Sequence, residues 1–206
     1  MGEAAARRLF VALMLGEELG GQVASAVRNA LRIQDGVRPP KHLKLYGARD
    51  LHATLFFLGA TAETQRAALE EALDQATRGL ARPELELSGG GAFPDARHPK
   101  VLWIAARERG PARIARVVDA VTVAASSLGF QPDPRPWTPH ITVARVRGGA
   151  PRGPRREATP LVPGAFFELD LRLPWQPEAV ALVESVQGEE DAYRPVRTWP
   201  LSSRDA

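Results

Sequence analysis

The chain has 206 residues and 44% hydrophobic residues, enough for one large domain or two closely packed lobes. It contains no cysteine, which excludes disulfides, thiolate nucleophiles and cysteine-based zinc sites. A formal net charge of +3, a pI near 9.8 and 24 arginines against 3 lysines admit a polyanionic partner without requiring one.

Residues 8–15 read as a buried central strand. The apolar run Leu9–Leu15 is only seven residues long and ends at Gly16-Glu17-Glu18, with no small-residue cleavage site, so a strand is preferred to a secretory signal. No run approaches the ~18 apolar residues of a membrane span, and the cytoplasm is the default location. Glu17 to Ile33 carries Leu19, Val23, Val27 and Leu31 at helical spacing, with acids in the first turn. Residues 35–48, with Pro39, Pro40 and Gly47, read as a loop. His52–Leu58 predicts a strand, and Thr61 is placed as the cap of a helix running to about Thr77.

Glu84–Leu87 alternates as a half-buried strand, which Gly89-Gly90-Gly91 is expected to break. Val101–Ala106 is a further strand. Pro111 suits the first turn of a helix to Leu128, with Gly129 as its stop. A strand is predicted over Trp137–Val146, followed by a basic Gly/Pro-rich stretch over Arg147–Arg156. Phe166–Leu173 alternates as a strand does, Ala179–Val186 is an apolar strand, and Tyr193–Leu201 is read as a last edge strand.

Two of these segments echo each other: Leu51-His52-Ala53-Thr54-Leu55-Phe56-Phe57-Leu58-Gly59 and Pro139-His140-Ile141-Thr142-Val143-Ala144-Arg145-Val146. Side chains two apart on a strand point the same way. Each imidazole therefore shares a face with its own threonine hydroxyl, while Ala53, Leu55, Ile141 and Val143 face the core. The strand–helix–strand order before each motif is also duplicated, with 42 positions from Phe10 to His52 and 38 from Leu102 to His140. Two lobes, each contributing one motif, would bring together an acid, a base and two hydroxyls. Histidine titrates near neutrality and serves either proton transfer, and hydroxyls can hydrogen-bond the oxygens of a phosphodiester as charge grows on them. The site is expected to need no metal and no cofactor. His42 and His98 read as solvated loop residues. Arg145, Arg147, Arg152, Arg155 and Arg156 are candidates for an RNA backbone, although strict alternation turns Arg145 away from His140. Phe56 falls on the His52 face and is a candidate for lining the pocket or stacking on a base, with core packing as the alternative reading; Tyr193 and Trp137 are weaker candidates.

These motifs resemble those of the two-histidine (2H) phosphoesterase superfamily, in particular its RNA 2′,3′-cyclic phosphodiesterase branch, also named for 2′-5′ RNA ligase activity (LigT-like). His52–Gly59 is similar throughout to the family's H-x-T-L-x-F-L-G motif, and Pro139–Arg145 to its P-H-x-T-x-A-R motif. Arg8–Ala12, Phe93-Pro94 with Val101-Leu102-Trp103, and Glu184-Ser185 with Tyr193 extend the likeness from about residue 8 to 201. One departure is Leu43-Lys44-Leu45-Tyr46-Gly47, which stands where relatives often carry a Trp-Val-like pair. The resemblance implies an α+β fold of two pseudo-symmetric lobes, each a mostly antiparallel sheet with helices on its outer face and the groove between the sheets. It implies one interleaved domain over residues 1–206. It assigns His52 as proton donor, His140 as proton acceptor and Thr54 and Thr142 as phosphate ligands. The expected substrate is an RNA 2′,3′-cyclic phosphate end, opened to a 2′-phosphate, with 2′-5′ joining as the reverse. A monomer with no obligate protein partner is expected. Two other readings stay open on the residues alone: the same chemistry on a small cyclic nucleotide, and a non-catalytic nucleotide- or RNA-binding module. A metal hydrolase with the histidines as ligands is a third.

Overall fold

The structure is a computed structural model that describes residues 6–147, 162–186 and 192–203. Its nine strands among the described residues form two antiparallel sheets. The first contains β1 (Arg7–Met14), β3 (His52–Thr61), β8 (Ala179–Ser185) and β9 (Tyr193–Pro200), in the order β3-β1-β8-β9. The second contains β2 (Leu43–Leu45), β4 (Leu85–Phe93), β5 (Val101–Glu108), β6 (His140–Val146) and β7 (Leu173–Trp175), in the order β2-β6-β5-β4-β7. The helices are α1 (Glu17–Ala30), α2 (Glu63–Thr77), α3 (Arg113–Ser127) and the single turn α4 (Gly164–Phe167). No described helix is long and apolar enough to cross a membrane.

The two motif units are built alike. β1 and β3 pair antiparallel around α1, and β5 and β6 pair antiparallel around α3. Leu9, Val11 and Leu13 of β1 join Leu102 and Ile104 of β5, Val23 and Val27 of α1, Leu69 and Leu73 of α2 and Val117 and Val121 of α3 in one core. The helices therefore cover the outer faces of both sheets. On the opposite face of the first sheet, Phe10, Ala12, Ala181 and Val183 form a small second cluster that floors the groove. Leu9 to Leu13 are buried on both faces, which is why β1 reads as an unbroken apolar run.

Several elements differ from the sequence expectation. The glycine run does not break β4. Gly89, at φ 62°, forms a bulge, and the strand continues to Phe93. Gly90 and Gly91 leave room for close approach: a Cβ would lie 2.1 Å from the Phe166 carbonyl oxygen or 2.2 Å from the Trp103 ring. That packing also explains the alternating stretch after it. Phe166 turns inward in α4 and is fully buried against Gly90, and pairing resumes only at Leu173. Leu43–Leu45, read as loop, adds β2 to the edge of β6. The strand of the second motif begins at His140, not Trp137. Thr61 ends β3 and bonds Gly59; the helix start is instead served by the Gln65 side chain, which accepts the Ala62 N–H at 3.1 Å. Pro111 lies just before α3, whose cap is Ala112. Arg152, Arg155 and Arg156 fall outside the described residues.

α1 sits directly on a 3₁₀ turn, Ala48–Asp50, that leads into the first motif. The approach depends on Gly20, where a Cβ would lie 2.2 Å from the Ala48 carbonyl oxygen. Arg49 of the turn also chelates both Glu17 oxygens at 3.0 Å. Gly20→Ala is therefore expected to destabilise the fold by about 1–3 kcal/mol through overpacking. Gly21→Ala, which meets nothing within 4 Å, is expected to be neutral or to stabilise by up to about 1 kcal/mol. Urea denaturation of the two variants checks the contrast; equal effects would contradict this account of the contact.

Candidate active site

Each motif strand carries a bulge at the same place. In the β1–β3 ladder Ala12 opposes Thr54 and Val11 opposes Phe56, so Leu55 is the extra residue. In the β5–β6 ladder Trp103 opposes Thr142 and Leu102 opposes Ala144, so Val143 is the extra residue. A bulge shifts the alternation by one position beyond it. Before the bulge, His52, Thr54, His140 and Thr142 are half-buried, with His52, Thr54 and Thr142 lining the groove, while Ala53, Leu55, Ile141 and Val143 are buried. After it, Phe56 turns into the core at 4% exposure and Phe57 emerges at 67%. Phe56 is thus a core residue, as the alternative reading had it, and not a base-stacking candidate; the groove-facing aromatic of β3 is Phe57. The same shift turns Arg145 toward the groove, against strict alternation.

The groove, about 1010 Å³, takes His52, Thr54, Phe57 and Phe10 from one sheet and Thr142, Arg145, Lys44 and Val101 from the other. Tyr46 and Tyr193 close it. Its cations are Arg8, Lys44, Lys100, Arg145 and Arg147, and no carboxylate is among its lining residues. His140 precedes Thr142 on the same face of β6 and lies against the rings of Phe93, at 5.1 Å, and Trp103, at 6.4 Å.

The imidazoles are held identically. His52 Nδ1 lies 2.6 Å from the carbonyl oxygen of Asp50, and His140 Nδ1 lies 2.8 Å from that of Thr138. A carbonyl accepts only, so Nδ1 carries the hydrogen in both rings and Nε2 is the nitrogen that exchanges protons. Asp50 does more than supply a carbonyl. Its buried carboxylate accepts the Tyr193 N–H at 3.1 Å, and the Tyr193 ring stands edge-on to His52 at 4.8 Å. Phe10 packs on the His52 ring at 4.8 Å. Burial among these rings pushes the His52 pKa down to about 4; the Asp50 carbonyl opposes the shift, and the charge of nearby His140 adds to it.

Trp137, on the approach to β6, donates its indole N–H to the Thr54 carbonyl of β3 at 2.8 Å and ties the two sheets together. Within the second sheet the Tyr46 N–H bonds the Val143 carbonyl at 3.0 Å and continues the β2–β6 ladder. Tyr46 also accepts from Arg145 Nε at 3.0 Å, and the Tyr193 hydroxyl lies 3.5 Å from the Tyr46 hydroxyl. Burial and this contact push the Tyr193 phenol up, so it stays protonated. Tyr46, Phe57, Lys44 and Lys100 were not singled out from the sequence. Tyr46 and Lys44 lay in an apparent loop, and Phe57 was on the wrong parity. His98 is exposed beside Asp95, as expected of a loop residue.

Residues 24–189 match the 2′-5′ RNA ligase superfamily. An Archaeoglobus fulgidus protein named RNA 2′,3′-cyclic phosphodiesterase is 32% identical over 140 residues, 68% of this chain and 73% of its own. A Thermus thermophilus protein of the same name is 33% identical over 187 residues, 86% of this chain and 81% of its own. The crystal structure of a Thermus thermophilus protein superposes with a TM-score of 0.68 at 26% identity, covering 94% of this chain and 97% of that one.

The depressed His52 pKa has a consequence for stability. Between about pH 6.5 and pH 4 the unfolded chain binds a proton at this residue and the folded chain does not. Its contribution is therefore complete above about pH 6.5 and is lost as pH falls toward 4, by up to roughly 3 kcal/mol. Denaturation of wild type and His52→Gln from pH 7.5 to 4.5 checks this: the wild type is expected to lose more stability over the range. Parallel curves would place the His52 pKa near its ordinary value.

Proposed function

The chain belongs to the 2′-5′ RNA ligase superfamily, and from that we propose that it hydrolyses the 2′,3′-cyclic phosphodiester at RNA ends to a 2′-phosphomonoester. What supports the proposal is the pair of imidazoles, each locked through Nδ1 on its own carbonyl: His52 lines the cation-bearing groove with Thr54 and Thr142, and His140 stands two residues before Thr142 on β6.

In this reading the phosphate lies between the two motif strands. His140 Nε2 takes a proton from water as its oxygen attacks phosphorus. The bond from phosphorus to the ribose 3′ oxygen breaks, and His52 Nε2–H gives that oxygen its proton. The products are a 2′-phosphate and a 3′ hydroxyl, and proton exchange with solvent restores both rings. Thr54 and Thr142 donate to the non-bridging oxygens, where charge accumulates in the transition state. Both proton transfers are supplied by side chains, so no metal-bound water is called for. With a ribose 5′ hydroxyl in place of water, the same opening of the cyclic phosphate forms a 2′-5′ linkage and releases the 3′ hydroxyl. Both motifs come from one chain, so the monomer is the working unit and the two lobes act together as one domain.

His52 is neutral in the empty groove near pH 7, whereas a donor must be protonated when the substrate is seated. The negative phosphodiester provides the opposite charge, which favours the imidazolium. The pair then titrates as a unit, with a bell-shaped rate profile.

His52→Ala and His140→Ala are each expected to lower kcat on a cyclic-ended oligonucleotide by about 10²-fold or more, with the fold retained. A 3′-deoxynucleoside 2′-phosphate esterified with 4-nitrophenol separates the roles, because its leaving group departs without a proton and no neighbouring hydroxyl competes with water. His52→Ala is expected to recover most of its activity on that ester, and His140→Ala to stay impaired. The opposite pattern would exchange the two roles. Near-wild-type activity of either variant on the cyclic end would sink the paired mechanism.

A further inference from the structure

We propose that Lys44, Lys100, Arg145 and Arg147 form a second phosphate subsite, which takes the phosphodiester on the 5′ side of the terminal nucleotide while the cyclic phosphate lies between the imidazoles. The proposal rests on the function proposed above and narrows its substrate to a polynucleotide end.

The first support is a cross-strand pair of like charge. Lys44 of β2 stands directly opposite Arg145 of β6. Like charges in that position destabilise a sheet unless something neutralises them. No carboxylate does so: among the described residues no ion pair engages Arg8, Lys44, Lys100, Arg145 or Arg147. Outside the groove the pattern differs, with Arg49 on Glu17, Arg66 on Glu63 and Glu70, Arg113 on Glu84 and Arg135 on Asp133. Among the described residues, then, the cations that face the groove are left unmatched.

The cluster is also fixed in place. Arg145 is held through Nε by the Tyr46 hydroxyl at 3.0 Å, and Lys44 Nζ lies 5.6 Å from the centre of the same ring. The backbones are tied together, with the Val146 N–H on the Lys100 carbonyl at 2.9 Å and the Arg147 N–H on the His42 carbonyl at 2.6 Å. Donors already held, as Arg145 and Lys44 are by Tyr46, lose less freedom on binding an anion.

The position suits a second phosphate and not the first. With Val143 taken up in the bulge, Arg145 lies about two strand steps from Thr142, or ~7 Å. That is of the order of the separation between consecutive phosphates on one strand. A phosphate held by Thr142 therefore leaves its 5′ neighbour beside Lys44 and Arg145.

The test compares kcat/KM on three substrates: a nucleoside 2′,3′-cyclic phosphate, a dinucleotide ending in the cyclic phosphate with an ordinary internal linkage, and the same dinucleotide with a neutral methylphosphonate linkage. Both dinucleotides carry a 2′-deoxy first residue so that the linkage is stable. The wild type is expected to prefer the charged over the neutral linkage by about tenfold or more, the effect of one charge-assisted hydrogen bond, and to use the neutral dinucleotide little better than the mononucleotide. Lys44→Gln with Lys100→Gln is expected to reduce the charged-over-neutral preference to about threefold or less. Equal use of the two linkages by the wild type, or an unchanged preference in the double variant, overturns the subsite and leaves the hydrolysis standing. Failure of the wild type to open any of the three overturns both.

Discussion

Two backbone carbonyls, those of Asp50 and Thr138, decide which nitrogen of each imidazole meets the groove. Different local devices aim them. Asp50 ends the 3₁₀ turn whose position is set by α1 through Gly20 and Arg49. Thr138 precedes Pro139, and a residue before proline is confined to extended backbone. In both cases the chain turns into the motif strand with its carbonyl directed back at the imidazole two residues on. The lock has chemical weight because an imidazole free to rotate or change tautomer would present the wrong nitrogen part of the time. It also makes a helix packing contact, far from any reacting atom, part of the geometry of the site.

The reach and the limit of the sequence follow from the same feature, the strand period of two. Up to Thr54 and Thr142 that period placed every motif side chain on the face where the structure has it. Beyond them it failed by one position in both strands, because Leu55 and Val143 are bulged. Nothing in Thr-Leu-Phe-Phe or Thr-Val-Ala-Arg marks a bulge, since each residue is also acceptable in a regular strand. Hence Phe56 was placed in the groove where Phe57 stands, and Arg145 was turned away from a groove it enters. The glycines of β4 failed for another reason. Their freedom reads locally as a break, but it accommodates Phe166 and Trp103, partners distant in the chain. The alternation of Phe166–Leu173 was a real pattern without a strand, because tertiary packing of Phe166 outweighed it.

Burial and charge act together on His52. Phe10 and Tyr193 exclude water from the ring, and the groove in front of it holds cations alone among its charged lining residues. A second positive charge on His52 is therefore disfavoured until an anion arrives. In the proposed reaction this arrangement ties protonation to occupancy: the phosphodiester favours the charge that its departing oxygen would require. A solvated histidine pair would carry protons according to pH alone. The apolar rings around the imidazole thus have a chemical consequence beyond packing, which composition and spacing give no means to read.

Segments of the two halves of the chain are exchanged between the sheets. Tyr46 lies on the approach to His52 in sequence, yet it continues β2 alongside β6, and its N–H bonds Val143, the bulged residue of the second motif. Trp137 lies on the approach to His140, yet its indole N–H crosses to Thr54 of β3, next to the bulged residue of the first. The Tyr193 hydroxyl of the first sheet meets the Tyr46 hydroxyl beside the second at 3.5 Å. The consequence is geometric. In-line displacement requires acid and base on opposite sides of one phosphorus atom, and small misplacements are expensive in rate. Two sheets free to hinge would let that separation drift. The Trp137 and Tyr193 contacts cross from one sheet to the other beside the motif strands and restrain it.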